Sequence, residues 1–367
     1  MPKLDQDFIK LPQPVTVSFA LEPVRNILNS FCLIVRREEL PGVDAWVTHT
    51  AAALTPAQLH TNALVCEGLF FAIQPDRAYP DFPAYLAGVG AQDPRGLRDR
   101  LFEGYARLAR SKALERGDTA PLPGRDTLLA SLEAFLAFEK QSFSHLSIDI
   151  PIETEAHALL NNPPAMQKLI VSHLRDMWDR FMAAEWERVR PMLQESVDAF
   201  QQLDLAGQTP VEIARAINPA LGEGRLAEIL ARAERIVFVP SAHQGPYAGK
   251  STAEHEIVVF FGARLPEGAS TRSPALTRSE LLVRLNALAD DTRLSILNLL
   301  AEHDELCAQD IMTLLGLSQS AASRHLRQLS ATGYLVERRR EGAKCYVLNR
   351  DRFQNMIRAL EQFVDKA

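Results

Sequence analysis

The chain has 367 residues, 47% hydrophobic and 23% charged, with a formal net charge of −6 at pH 7; that length exceeds one compact core and predicts two or more domains. No apolar run approaches the roughly 20 residues of a membrane helix, and residues 1–7 lack the apolar stretch of a secretory signal. With Cys32, Cys66, Cys307 and Cys345 scattered and no CxxC among them, the expectation is a cytoplasmic chain with reduced, mostly buried thiols, no disulfide frame and no membrane partner.

The predicted elements begin with a short strand at 15–19. Thr55-Pro56 reads as a helix start, an N-cap followed by an N1 proline. Helical spacing then recurs over 94–115 (Leu97, Leu101, Tyr105, Leu108) and over 124–142 (Leu128, Leu132, Phe135, Phe138). Asn162-Pro163-Pro164 breaks the chain, and a long helix is expected over 165–203, kinked at Pro191. Its apolar stripe includes Met166, Ile170, Leu174, Met177, Trp178 and Phe181. Thr209-Pro210 is another helix start. Two β-branched and aromatic runs, 236–239 and 257–261, read as strands.

Between those strands, Gly249-Lys250-Ser251-Thr252 imitates a phosphate-binding loop. The GxxxxGK[ST] spacing needs glycine at 244, where the chain has Gln244. A strand follows where the phosphate loop needs a helix, so a plain connecting loop is expected. The seven histidines before residue 262 are dispersed, and no HExxH, GxSxG or Cys-His pairing suggests an enzyme. Residues 262–274 (GARLPEGASTRSP) form the clearest linker.

Beyond the linker the pattern sharpens. Thr277-Arg278-Ser279-Glu280 fits a capping box. Asp291 is the next expected N-cap, and a short helix is expected over 309–315 before a Gly316-Leu317 turn. Ser318 then caps a helix that Gly333 ends with a left-handed residue. In that helix Ala322, Leu326 and Leu329 face the core, while Gln319, Ser320, Ser323, Arg324 and Arg327 lie on the opposite face. Gln and Arg can make bidentate contacts with adenine and guanine edges. His325 either touches DNA or packs at the helix edge. Strand-like 334–336 and 345–348 follow, joined by a basic tip that carries Arg338, Arg339, Arg340 and Lys344. Such a wing sets cations against phosphates or into a minor groove. Residues 320–350 hold seven basic and two acidic side chains, a local +5 on an acidic chain.

The fold expected is therefore mainly α with small β elements. A helical N-terminal region with a few short strands spans 1–270, and a winged helix-turn-helix that binds double-stranded operator DNA spans 271–367. A protein-interaction or assembly module on the same wing fold is the alternative; the arginine run and polar helix face argue against it.

The sequence resembles the ArsR family of winged helix-turn-helix transcriptional regulators over roughly its last 95 residues. The resemblance rests on Leu288-Ala289-Asp290-Asp291-Thr292-Arg293-Leu294, on Glu305-Leu306-Cys307, on Leu317-Ser318-Gln319-Ser320, on Ser323-Arg324-His325-Leu326 and on Gly333-Tyr334-Leu335-Val336. It implies a DNA-binding homodimer, often a repressor released by a ligand. The first and last helices of the module would build the dimer. On the last, Phe353, Met356, Ile357, Leu360 and Phe363 form one stripe.

The chain departs from the metal-sensing pattern of that family. Gln309 stands where a Cys-x-Cys would place its second thiolate, and 351–367 contains no histidine. No metal or cofactor is expected, and Cys307 reads as a small core residue. The expected effector is a small organic molecule. Its pocket would be lined by Met177, Trp178 and Phe181 and by the 241–249 loop, with Ser241 and Tyr247. A purely dimerising N-terminal region is the alternative.

Overall fold

A computed structural model of the chain describes residues 15–40, 42–116, 122–142, 148–222, 224–231, 233–252, 256–266, 278–340 and 343–350, with 352–353, 356–357 and 359–360 of the last helix. The 1–7 segment, most of the expected linker and Phe363 lie outside the described residues.

Helices dominate up to residue 230. The helix Pro23–Arg36 buries Ile27, Leu28, Phe31 and Ile34 at the centre of the largest core. The helix Pro56–Ala63 starts behind Thr55 as its sequence predicts, and Thr55 also closes a capping box with Gln58. The expected 94–115 helix is Pro94–Arg116. The expected 124–142 helix is two, Arg125–Ala130 and Leu132–Ser142. Ser131 is extended between them, and its hydroxyl accepts from the Ala134 backbone N–H, so it caps a new helix instead of continuing the old one.

The expected 165–203 helix is also interrupted, though not by its proline. Pro163–Met177 passes through one π-turn, Trp178–Met182, into Ala183–Gln201, with Pro191 inside the last segment. The wider turn leaves Trp46 Nε1 a carbonyl, that of Phe181, at 3.3 Å. The final segment carries its buried stripe from the first core (Trp186, Val189, Leu193) to a second (Val197, Phe200).

That second core lies under a sheet. Strands β1 (Thr16–Phe19), β2 (Arg235–Ser241), β3 (Ala248–Thr252) and β4 (Glu256–Gly262) take the order β1-β2-β4-β3. The β1–β2 and β2–β4 pairs are parallel, and β3 runs antiparallel to β4. Phe238, Val259 and Phe261 pack with Phe200, Ile213 and Ile217 on one face. Val237, Val239, Val258 and Phe260 fill the other. Burial on both faces explains why β2 and β4 read as continuous apolar runs. Strand β3 corrects the plain loop expected there. Ala-Gly-Lys-Ser-Thr has no apolar alternation because it forms an edge with exposed residues. Its strand conformation also removes the helix that a phosphate loop would need.

The third core belongs to residues 287–353. Ile296, Leu297, Leu300, Ile311, Ala322, Leu326, Leu329, Tyr334 and Tyr346 enclose it. The helices are Arg278–Leu288, Asp291–Glu302, Ala308–Leu315 and Gln319–Ala331. The N-cap of the second is Asp290, one residue before the expected Asp291; its carboxylate accepts from Arg293 N–H at 3.0 Å. Strands β5 (Leu306–Cys307), β6 (Leu335–Arg340) and β7 (Ala343–Leu348) form an antiparallel sheet in the order β5-β7-β6.

Candidate nucleic-acid interface

The helix Gln319–Ala331 is cut at both ends by local chemistry. Gly316 adopts φ 63° after Ala308–Leu315, a left-handed turn that costs glycine little. Ser318 then accepts from Ala321 N–H at 3.3 Å. Gly333, at φ 79°, follows the last turn, so the chain leaves directly into β6.

One face of this helix is solvent. Ser318, Gln319, Ser320, Ser323, Arg324 and Arg327 are exposed, and Ala322, Leu326 and Leu329 are buried beneath them. The expected split of the helix is therefore the geometry present. His325 packs inward at 7% exposure, with Nδ1 3.6 Å from an Asp290 carboxylate oxygen. Burial holds its pKa below the ordinary histidine value, against the pull of Asp290.

Arg293, to which the sequence assigns no role beyond the family resemblance, supports that face from behind. It is 8% exposed and donates to Ala287 O, Asn286 O and Gln328 Oε1 at 2.7, 2.7 and 3.0 Å. Gln328 lies on the buried side of the recognition helix, so this guanidinium fixes its rotation. An arginine three residues after the Asp290 cap looks exposed by periodicity, which is why no sequence signal marks it.

The wing stands beside the helix. In the β6–β7 register Arg338 faces Cys345, Arg339 faces Lys344 and Arg340 faces Ala343. Arg338, Arg340 and Lys344 are exposed. Lys344 Nζ lies 2.9 Å from Glu337 Oε1, so this cation carries its own counter-charge. Cys307 and Cys345 stand opposite each other on β5 and β7 and are joined by a disulfide. This corrects the expectation of reduced thiols: residues 38 apart in sequence become cross-strand neighbours only once the sheet forms. Cys32 and Cys66 are free.

The expected dimerisation residues divide. Met356 is buried against Leu281 and Ala359, Leu360 packs on the same cluster, and the Phe353 ring lies 4.7 Å from that of Tyr334. All of these contacts are within one chain. Ile357 points outward at 57% exposure, as does Leu282, at 50%, on the first helix of the module.

The expected pocket residues do not converge. Met177 is fully buried in the first core, and Trp178 and Phe181 pack at its edge, with Trp178 stacked on Phe82 at 5.3 Å. Tyr247 is 8% exposed. Ser241 alone of the five lines a cavity of about 110 Å³ where the end of β2 meets the winged helix. Beside it sits a buried chain of hydrogen bonds. Ser30 Oγ lies 2.8 Å from His243 Nδ1, and His243 Nε2 lies 3.0 Å from Glu185 Oε1. Burial would raise the Glu185 pKa, but hydrogen bonds from His243 and Arg188 outweigh it and bring it down to about 2. Trp46 stacks on His243 at 4.4 Å, and His243 is 2% exposed. The arrangement has the connectivity of a catalytic triad, but sealed from solvent it ties the 241–246 loop to two helices.

The winged helix also touches the N-terminal part. Arg327 Nη1 donates to the carbonyl of Glu39 at 3.0 Å. A Cβ on Gly42, at φ 99°, would sit 3.2 Å from Gln328 Nε2, so the backbone passes close to the recognition helix there.

Comparison with known proteins bears on this module. The family model for bacterial regulatory proteins of the arsR family matches residues 290–336, which are an ArsR-type helix-turn-helix. The chain is 50% identical over 52 residues to the arsenical resistance operon repressor of Escherichia coli, covering 14% of this chain and 44% of that protein. It is 47% identical over 53 residues to the arsenic resistance transcriptional regulator ArsR1 of Pseudomonas putida, covering 14% and 41%. ArsR2 of the same organism is 41% identical over 63 residues, covering 17% and 55%. The matches thus span about half the length of these relatives, and only the C-terminal part of this chain.

Proposed function

With an ArsR-type helix-turn-helix at residues 290–336, we propose that this transcriptional regulator is a homodimeric repressor that binds a pseudo-palindromic operator in the cytoplasm. The observation that carries the reading is the solvent face of the recognition helix. Gln319, Ser320, Ser323 and Arg324 are exposed together, on a helix whose rotation Arg293 fixes. Such a face reads base edges in a major groove, while Arg338, Arg339, Arg340 and Lys344 on the wing meet phosphates. The repressor role follows the name of the Escherichia coli relative. The dimer would form through the first and last helices of the module, where Leu282 and Ile357 are exposed. A two-fold dimer reads two half-sites in successive grooves. Among the described residues no helix is long and apolar enough to cross a membrane.

The two regions would divide the work near residue 270, with the N-terminal region sensing a small organic effector. A thiolate-bound metal is disfavoured because Gln309 replaces the second thiol and the sulfur of Cys307 is bonded to Cys345. The test is selection of binding sites from a random double-stranded DNA pool by the full chain, followed by sizing with light scattering. A repeated, inverted motif bound by a dimer is expected. Recovery of no enriched motif, or a monomer with and without DNA, overturns the reading.

A further inference from the structure

The Cys307–Cys345 bond links the two elements assigned to DNA above. Cys307 ends β5, and the helix Ala308–Leu315, which precedes the recognition helix, starts from it. Cys345 lies in β7, where it is paired with Cys307 on one side and with Arg338 of the wing on the other. Strand β5 is two residues long, so it holds β7 by two pairs, Leu306 with Tyr346 and Cys307 with Cys345. A two-stranded hairpin on its own is marginally stable. Much of what steadies the β6–β7 wing against the helix-turn-helix therefore passes through this third strand and its covalent bond.

The two cysteines differ in access. Cys307 is half-buried, whereas Cys345 is 0% exposed. One residue can meet a small reagent from solvent, and its partner waits across the strand. An accessible thiol beside a resolving cysteine is the arrangement of a redox-sensing pair. Cys32 and Cys66, by contrast, are free in the first core. In a cytoplasm, where thiol reductants keep cysteines reduced, a disulfide is ordinarily transient and not a permanent staple.

We propose that Cys307 and Cys345 form a reversible redox site, oxidised by a hydroperoxide and reduced by a small dithiol, and that the bond sets how firmly the wing meets DNA. In oxidation the Cys307 thiolate attacks the peroxide, the O–O bond breaks, and the leaving alkoxide takes up the proton that the thiol lost. Cys307 is then a sulfenic acid. The Cys345 thiol attacks its sulfur, the S–S bond forms, the S–O bond breaks, and water leaves with the thiol proton. Two thiols have then given two electrons to one peroxide. In reduction a dithiol attacks Cys307 Sγ, Cys345 leaves as the thiol, and the second sulfur of the dithiol closes a ring that frees Cys307. The oxidised wing is tied to the helix-turn-helix and loses less freedom on binding DNA, so that form binds tighter. Because the wing is assigned to phosphates, the gain is the same for all sequences.

The effect on DNA rests on the regulator reading above; the thiol chemistry is tested without it. Full-length protein is reduced with dithiothreitol while folded, reoxidised with hydrogen peroxide and reduced again, and each stage is alkylated after acid quenching and read by peptide mass spectrometry. Cys307 and Cys345 should be alkylated after each reduction and linked to each other after peroxide, with Cys32 and Cys66 left out of the bond. A bond that survives millimolar dithiothreitol in the folded protein, or a reduced pair that peroxide does not link, overturns the site. The parent chain decides this without any substitution. In Cys345→Ser, dimedone should trap a sulfenic acid on Cys307 after peroxide, whereas Cys345 in Cys307→Ser should stay unlabelled. The reverse labelling overturns Cys307 as the attacking thiol. Reduction should weaken DNA from the selected pool by about tenfold, equally for preferred and other sequences, and Cys307→Ser should bind like the reduced chain under either treatment. Equal DNA affinity in both redox states overturns the coupling alone. If no DNA is selected at all, the regulator reading fails while the mass spectrometry still decides the site.

Discussion

Arg327 Nη1 donates to Glu39 O at 3.0 Å, joining the recognition helix to the loop after the helix Pro23–Arg36, 288 residues earlier in the chain. Arg327 shares the exposed face with Gln319, Ser323 and Arg324, yet its guanidinium is spent on the chain itself. Among the described residues, those nearer the helix N-terminus make no such hydrogen bond to the N-terminal part. The face is thus divided along its length, with a free N-terminal half and a docked C-terminal half.

That division sets a first expectation. Arg327→Ala removes an exposed hydrogen bond, worth about 1 kcal/mol, so global stability should change little. The docking contact should loosen. Hydrogen exchange of the recognition helix in the DNA-free protein should quicken, without a matching change in the Asp291–Glu302 helix behind it. Equal acceleration in both helices would mean that Arg327 supports the winged-helix core and not the contact.

Helix and wing should separate cleanly in their sequence dependence. Arg324→Ala or Gln319→Ala should relax preference at one position per half-site, at about 1–3 kcal/mol for a bidentate contact. On the wing, the Glu337–Lys344 ion pair gives a sharper test than removing a cation. Glu337→Gln frees Lys344, so it should tighten binding to all sequences alike. The salt dependence should steepen, by about 0.9 in log–log slope for each added phosphate contact. A shift in base preference on Glu337→Gln would mean that the wing reads sequence.

How far the sequence reveals this architecture depends on the range of the forces involved. The caps at Thr55, Thr209 and Ser318 and the turn at Gly316 are local chemistry and are legible. So are the buried strands, because burial on both faces writes an unbroken apolar run. The break at Ser131 is hidden by a helical stripe that continues across it. Strand β3 is hidden because an edge needs no apolar alternation. The Cys307–Cys345 bond and the buried bonds of Arg293 depend on residues that only the tertiary fold brings together. Met177, Trp178 and Phe181 look like pocket residues in the sequence because an apolar stripe reads the same whether it faces a cavity or a filled core.

Acid should destabilise the N-terminal core through His173. Asn62 Nδ2 donates to Phe31 O at 2.9 Å, which turns Asn62 Oδ1 toward His173 Nε2 at 3.0 Å. His173 therefore donates from Nε2. Burial lowers its pKa to about 4, although Asp176 opposes the shift. The native state then binds fewer protons than the unfolded chain between about 4 and 6.5, so stability is lost as pH falls through that window. His173→Gln keeps a donor to Asn62 and cannot protonate. Its urea midpoint should vary less between pH 6.5 and 4.5 than that of the parent chain. An equally steep acid limb would place the sensitivity elsewhere.

Alkali should act on the same core with the opposite sign. Glu139 is 3% exposed and is hydrogen-bonded to the Glu153 carboxyl. Burial, then the charge of Glu153 and that bond, hold the Glu139 pKa well above the usual carboxylate range, against a smaller opposing effect of Tyr105. Burial also raises Glu153. Here the native state binds more protons than the unfolded chain, so stability is fully present below the unfolded carboxylate pKa and is lost as pH rises through the raised native values. Every tenfold gain in proton affinity on folding corresponds to about 1.4 kcal/mol. Glu139→Gln supplies a neutral side chain that still donates to Glu153, so it should stabilise the protein at pH 9 relative to the parent and leave it nearly unchanged at pH 5. Melting temperatures at both values decide the matter. A variant that loses stability equally at pH 5 and pH 9 would show that the carboxyl is held for its shape and not for its proton.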